Sequence, residues 1–172
     1  MDAGASAPGP PTRGILPYFA GSAGGSKPLL RHIYAEFYGR ILKLVDMELP
    51  GRVVEIGSGM GNLKSHLPAA LCTDLFPNPW LDVLCDGYEL PFVDGAISNL
   101  VLFDVFHHLA APRAFLKEAR RILVGHGRLL VFEPYISLAS RPAYEWCHHE
   151  PIGWRQAIEM GDSPPRPRDY HA

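Results

Sequence analysis

Cysteine is scarce in this chain, with only Cys72, Cys85 and Cys147 among 172 residues. Their spacing fits neither a zinc site nor a disulfide framework, and two of them fall within apolar runs, so they read as buried, reduced thiols of a cytoplasmic protein. Long apolar runs are missing too. Nothing approaches the roughly 20 consecutive apolar residues that cross a bilayer, which argues against a membrane location. Charge of one sign is also lacking: the net charge is −2, with Lys and Arg scattered rather than massed. That leaves no electrostatic case for nucleic acid or another polyanion as partner. Residues 1–11 are rich in Ala, Gly and Pro and lack a basic n-region, so they read as a disordered leader rather than a signal peptide. What remains is 47% hydrophobic residues in a chain of single-domain length, enough to build a core.

The most informative stretch is Arg52-Val53-Val54-Glu55-Ile56-Gly57-Ser58-Gly59-Met60-Gly61-Asn62. Val53, Val54 and Ile56 are β-branched and the run is bounded by Pro50-Gly51 and by glycines, as expected of an interior parallel strand. The glycines then let a ligand approach bare backbone at the strand's carboxyl end. A dinucleotide fingerprint needs a small residue where Asn62 stands, and a phosphate loop needs Lys-Ser or Lys-Thr, which is absent at that spacing. What is left is acid-x-Gly-x-Gly-x-Gly.

Four further segments follow in order. Leu71-Cys72-Thr73-Asp74 reads as a second strand ending in an acid, whose two oxygens suit a ribose diol. Leu81 to Gly87 reads as a third strand running into Tyr88-Glu89-Leu90-Pro91-Phe92, and Ile97 onward as a fourth strand ending at Phe103-Asp104 before His107-His108. Residues 115–123 read as a helix, followed by a Gly125-His126-Gly127 turn and a fifth strand up to Glu133-Pro134. Strands and helices in this order, with short connections, predict an α/β fold: an open, mostly parallel Rossmann-like sheet with helices on both faces.

Over residues 50–135 the chain resembles the class I S-adenosylmethionine-dependent methyltransferases, in particular the group that acts mostly on small molecules. The resemblance rests on the glycine motif, Asp74, the Asp86 to Leu90-Pro91-Phe92 segment and the last helix, turn and strand. Val124 and His126 depart from the family's Lys-Pro-Gly-Gly wording. The resemblance implies S-adenosylmethionine as cofactor, with Glu55, Gly57, Ser58, Gly59 and Gly61 around its methionine part. It also implies Asp74 and Leu75 at the ribose, Asp86 and Gly87 at the adenine, and Phe103 lining the methionine pocket. The expected activity is in-line methyl transfer to a small molecule. His107 is the candidate base, because an imidazole titrates near neutrality; Asp104 and His108 are further candidates. The bland reading of these three is a turn, cap or surface group.

Residues 28–45 carry apolar side chains at Leu30, Ile33, Phe37, Ile41 and Leu44, the spacing of an amphipathic helix, with Ser26 as cap. The expected organisation is a leader and lid over 1–27, the methyltransferase domain over 28–152 and an irregular Pro-rich tail over 153–172. That tail leaves no room for the family's C-terminal strand pair. The fifth strand would then keep an exposed edge, open to oligomerisation. Cys147-His148-His149-Glu150 is read as a solvated polar patch, and no metal is expected, because adjacent ligands diverge on most backbones. The rival to an enzyme is a degenerate, non-catalytic cofactor-binding or partner-binding protein.

Overall fold

The computed structural model describes residues 28–59, 62–133, 135 and 160–164. The chain divides into two compact units, Met1–Glu36 and Phe37–Ala172. The expected leader and lid, Gly61, and most of the segment where a strand pair is expected to be missing lie outside the described residues.

In chain order the elements are α1 (Pro28–Leu42), β1 (Arg52–Ile56), α2 (Asn62–His66), β2 (Leu71–Asp74), β3 (Val83–Leu84), β4 (Ile97–Phe103), a 3-10 turn (Phe106–His108), α3 (Pro112–Ile122) and β5 (Leu123–Phe132). The strands form one sheet in the order β3-β2-β1-β4-β5, and every pairing is parallel. This is the open, parallel architecture the sequence predicts. β2, β1 and β4 are its interior strands, and the first six residues of β4 are buried, as covering on both faces requires.

The two faces are packed differently. Val54 and Ile56 of β1 and Leu100 and Leu102 of β4 join Phe115, Ala119 and Ile122 of α3 in one apolar cluster. Alternate strand residues point the other way, toward the last turns of α1 and the segment after it. There Phe103 stacks on Tyr38 at 5.0 Å and on Phe132 at 5.1 Å. Asn99, fully buried, is satisfied by the Asp46 amide and carbonyl, each at 2.9 Å.

Three expectations need correction. The third strand is only two residues long, because the chain turns on either side of it: the Leu81 amide donates back to the Asn78 carbonyl, and the Tyr88 and Glu89 amides donate back to Asp86. Leu44 is 57% exposed: α1 stops at Leu42, and the amides of Leu44 and Val45 turn back onto the Ile41 carbonyl. Tyr38, Ile41 and Val45 carry the buried face instead. The glycine turn before the fifth strand is a bulge within β5, since the register jumps from Ile97↔Leu123 to Asn99↔Arg128. His126 sits there at φ 64, a left-handed conformation that strains a residue with a Cβ. Residues 160–164 lie against the start of α3, with Asp162 paired to Arg113 and Lys117.

Candidate cofactor and acceptor site

In a parallel sheet all strands end at one edge, so the residues after β1, β2, β3, β4 and β5 gather there. The order reverses between β1 and β4, and a crevice at such a switch point is where an open α/β sheet accepts ligands. Asp74 is the last residue of β2, and Gly57, Asp86, Asp104 and Glu133 follow the ends of β1, β3, β4 and β5.

Gly57 and Gly59 both have positive φ, 65° and 50°, which favours glycine. A Cβ on Gly57 would lie 2.5 Å from Val105 Cγ2, so glycine there lets the turn after β1 meet the loop after β4. A Cβ on Gly59 would meet nothing within 4 Å. Its backbone therefore borders open space at the switch point. The Ser58 amide donates to the Thr73 carbonyl at 2.9 Å. Ser58 Oγ is the one buried side-chain oxygen or nitrogen among the described residues with no partner in hydrogen-bond geometry; beside it stands the Cys72 thiol, a weak contact.

Asp74 ties β2 to the glycine turn. Its Oδ2 accepts the Gly59 amide at 2.9 Å and its Oδ1 accepts the Phe76 amide at 3.0 Å. Each oxygen has two acceptor sites, so one on each stays available to a diol. Leu75 follows it, half-buried. After β3, Asp86 Oδ1 accepts the Tyr88 amide at 2.9 Å. Gly87 lies over Phe115, where an added Cβ would rest at an ordinary 3.5 Å. The segment beyond is clamped by α3: the Leu90 amide donates to Glu118 at 2.9 Å, and Arg121 donates to the Leu90 and Phe92 carbonyls at 3.0 and 2.8 Å. The Arg121 guanidinium holds the Glu118 carboxyl below its usual range.

Glu55 is placed beneath the turn rather than in the crevice. It is 1% exposed, receives the Tyr38 hydroxyl at 2.9 Å and stands 3.9 Å from the Cys72 thiol. Burial pushes its carboxyl up to about 7, against the opposing pull of the Tyr38 and Cys72 bonds and the Leu63 amide. Burial likewise raises the Cys72 thiol to about 11. The structure thus gives Glu55 a role in joining α1, β1, β2 and α2. Phe103 stands in the aromatic stack with Tyr38 and Phe132.

On the other side of the switch point, Glu133 gathers the loop after β4. Its Oε1 accepts the Val105 and Phe106 amides at 3.0 and 2.6 Å, and its Oε2 meets His107 Nδ1 at 2.5 Å. Burial raises the Glu133 carboxyl, but the His107 bond, the Phe106 amide and the Val105 amide together bring it below its usual value. Asp104, at φ 59, puts Oδ1 3.8 Å from the same His107 nitrogen. His108 lies against the His107 ring at 3.9 Å between centroids. Ligand atoms of Asp104, His107 and Glu133 all lie within 4.8 Å of one another, close enough for a cation. In the sequence Glu133 stands only as the acid that closes the fifth strand. Its signal was an acid at the same strand-end position as Asp74 and Asp104.

Residues 54–131 match a family model described as a methyltransferase domain. Among solved structures, the S-adenosylmethionine-dependent methyltransferase from Thermotoga maritima is 26% identical, with 76% of this chain and 66% of that one covered and a TM-score of 0.53. A candidate S-adenosyl-L-methionine-dependent methyltransferase from Methanococcus maripaludis is 19% identical, covering 70% and 64%, with a TM-score of 0.52. A candidate methyltransferase from Bacillus halodurans is 18% identical at a TM-score of 0.50; 59% of this chain is covered, and about half, 52%, of that one. No curated protein matches the chain. The matched segment is thus similar to a methyltransferase domain, and the chain has the class I fold of the S-adenosylmethionine-dependent methyltransferases, which take S-adenosylmethionine as cofactor.

The residues present fit that cofactor. Open space faces Gly59, acceptor capacity remains on Asp74, and the buried Ser58 Oγ, beside the weakly bonding Cys72 thiol, lies in the same turn.

Proposed function

We propose that the protein transfers a methyl group from S-adenosylmethionine to a small molecule by in-line displacement. The observation that carries this reading is the glycine turn after β1, with Gly59 bordering open space and bonded to Asp74 at the end of β2. The Gly57, Ser58 and Gly59 backbone would cradle the methionine part; Asp74 and Leu75 would hold the ribose, and Asp86 with Gly87 the adenine. Phe103 and the buried Glu55 would act from beneath, by fixing the strand ends. When bound, the cofactor supplies an electrophilic methyl on a sulfonium, which is a built-in leaving group. The chain's task is then to hold the acceptor atom about 3 Å from that carbon in a dry, aligned site. His107, just after β4 at the same edge, would take a proton from an acceptor that must lose one.

A small acceptor accords with the absence of massed positive charge and with the Thermotoga maritima relative, described as a possible histamine N-methyltransferase. No described helix is long and apolar enough to cross a membrane, and Cys72 and Cys85 are free thiols, which supports a cytoplasmic setting. β5 ends the sheet among the described residues, leaving a backbone edge for a second chain; sedimentation at two concentrations reads that. The function itself is tested by titrating the full chain with S-adenosylmethionine, then assaying labelled methyl transfer to pooled small molecules. Binding followed by transfer is expected. Binding with no transfer to any acceptor pool supports the non-catalytic reading instead.

A further inference from the structure

Glu133 has more bonds than a loop anchor needs. One of its oxygens already holds the turn after β4 through the Val105 and Phe106 amides. The second is given to His107 Nδ1 at 2.5 Å, on a ring whose side chain is 37% exposed. An ion pair so exposed contributes little stability. It does fix the tautomer, since a ring nitrogen that donates to a carboxylate keeps its proton and leaves the other nitrogen as the acceptor. Asp104 adds a second carboxylate 3.8 Å from the same nitrogen. Two acids and the neighbouring His108 ring thus face His107.

We infer that Glu133 is a positioning residue that makes His107 Nε2 a general base, and that the methyl acceptor is an acidic hydroxyl of the phenol type. This rests on the methyltransferase reading above. A phenol, with a pKa of about 10, is within reach of an imidazole base. A neutral amine can attack without one, whereas a phenol gains its nucleophilicity by giving up its proton, so a carboxylate-oriented histidine favours a hydroxyl acceptor. The hydroxyl proton passes to His107 Nε2 and its bonding pair stays on the oxygen. That oxygen forms the new bond to the methyl carbon, while the carbon–sulfur pair remains on sulfur and cancels its positive charge. The proton on His107, shared in charge with Glu133 and Asp104, then leaves to solvent.

The first test needs no cofactor. Long-range proton–nitrogen correlation spectra of the 15N-labelled full chain should show His107 with Nδ1 protonated and Nε2 as acceptor. In Glu133→Gln the His107 protonation midpoint should fall by about 1 pH unit or more, while Glu133→Asp should recover part of that fall. A midpoint unmoved in Glu133→Gln, or the opposite tautomer, overturns the dyad. So does selective bleaching of His107 signals by micromolar Mn2+, which would make Asp104, His107 and Glu133 a cation site. The second test compares labelled methyl transfer to catechol and 4-nitrophenol with transfer to benzylamine. Transfer to the phenols is expected, lost at least 100-fold in His107→Gln, with the acid limb of its pH profile moving lower in Glu133→Gln. Failure to methylate either phenol, or amine transfer that His107→Gln leaves unchanged, overturns the hydroxyl assignment. Cofactor binding measured alongside separates that failure from failure of the methyltransferase reading.

Discussion

Two glutamates in this sheet receive opposite treatment. Glu55, within β1, is sealed beneath the glycine turn with the Tyr38 hydroxyl at 2.9 Å, and burial raises its carboxyl to about 7. Glu133, just after β5, is less buried; it accepts two amides and meets His107, and its carboxyl is held low. The first environment favours a neutral, structural carboxyl, and the second a fixed anion at the mouth of the crevice. Motif position alone would rank the acid of the glycine motif as the functional one. Its surroundings tie it to α1 and β2, whereas those of Glu133 tie it to the loop after β4 and to His107.

The largest effect should come from the core common to both regions. Phe115 is fully buried, packs with Val54 and Leu100, and lies near Gly87 and Phe106. Phe115→Ala should cost about 3–5 kcal/mol of stability in denaturant unfolding. A loss confined to cofactor binding, with unfolding unchanged, would show that the two regions do not share this support.

Next is the pH response that separates the two carboxyls. The folded state keeps a proton on Glu55 that the unfolded chain releases, so stability should fall as pH rises from about 4.5 to about 7, by on the order of 3 kcal/mol. Glu55→Gln keeps a carbonyl for Tyr38 and should remove that fall in thermal melts. Glu133 has the opposite sign: its anion is favoured in the fold, so its contribution is present above the ordinary carboxylate range and is lost as pH drops below it. A Glu55→Gln variant whose stability still falls toward neutrality would break the contrast.

A smaller effect tests the cofactor side alone. Asp74→Ala removes the acceptor that also fixes the Gly59 amide; S-adenosylmethionine affinity should drop at least tenfold, about 1.4 kcal/mol, by calorimetry. Gly59→Val should do the same by filling the open space beside the turn. The smallest change lies far from both carboxyls: His126→Gly relieves the strain at φ 64 and should stabilise the chain by about 0.5–1 kcal/mol, read as a rise in melting temperature without altered binding.

Much of this was legible along the chain. The β-branched run of Val53, Val54 and Ile56 marks an interior strand, and the acid closing Leu71-Cys72-Thr73-Asp74 marks a strand end, because both signals are local. The Tyr38 bond to Glu55 and the His107 bond to Glu133 span 17 and 26 residues. They arise only when the sheet order brings α1 under β1 and β5 beside β4. The short β3 and the exposed Leu44 were illegible for a related reason: the Leu81 and Glu89 amides turn back onto the Asn78 and Asp86 carbonyls, and α1 ends a residue pair early. Those are competitions between backbone partners, and apolar periodicity carries no trace of them.

The most direct measurement is calorimetric titration of the purified chain with S-adenosylmethionine, S-adenosylhomocysteine and NAD in parallel. Binding of the first two and not of NAD is the predicted result. Binding of NAD, or a folded chain that binds none of the three, would contradict the assignment of the glycine turn and Asp74 to an S-adenosylmethionine site.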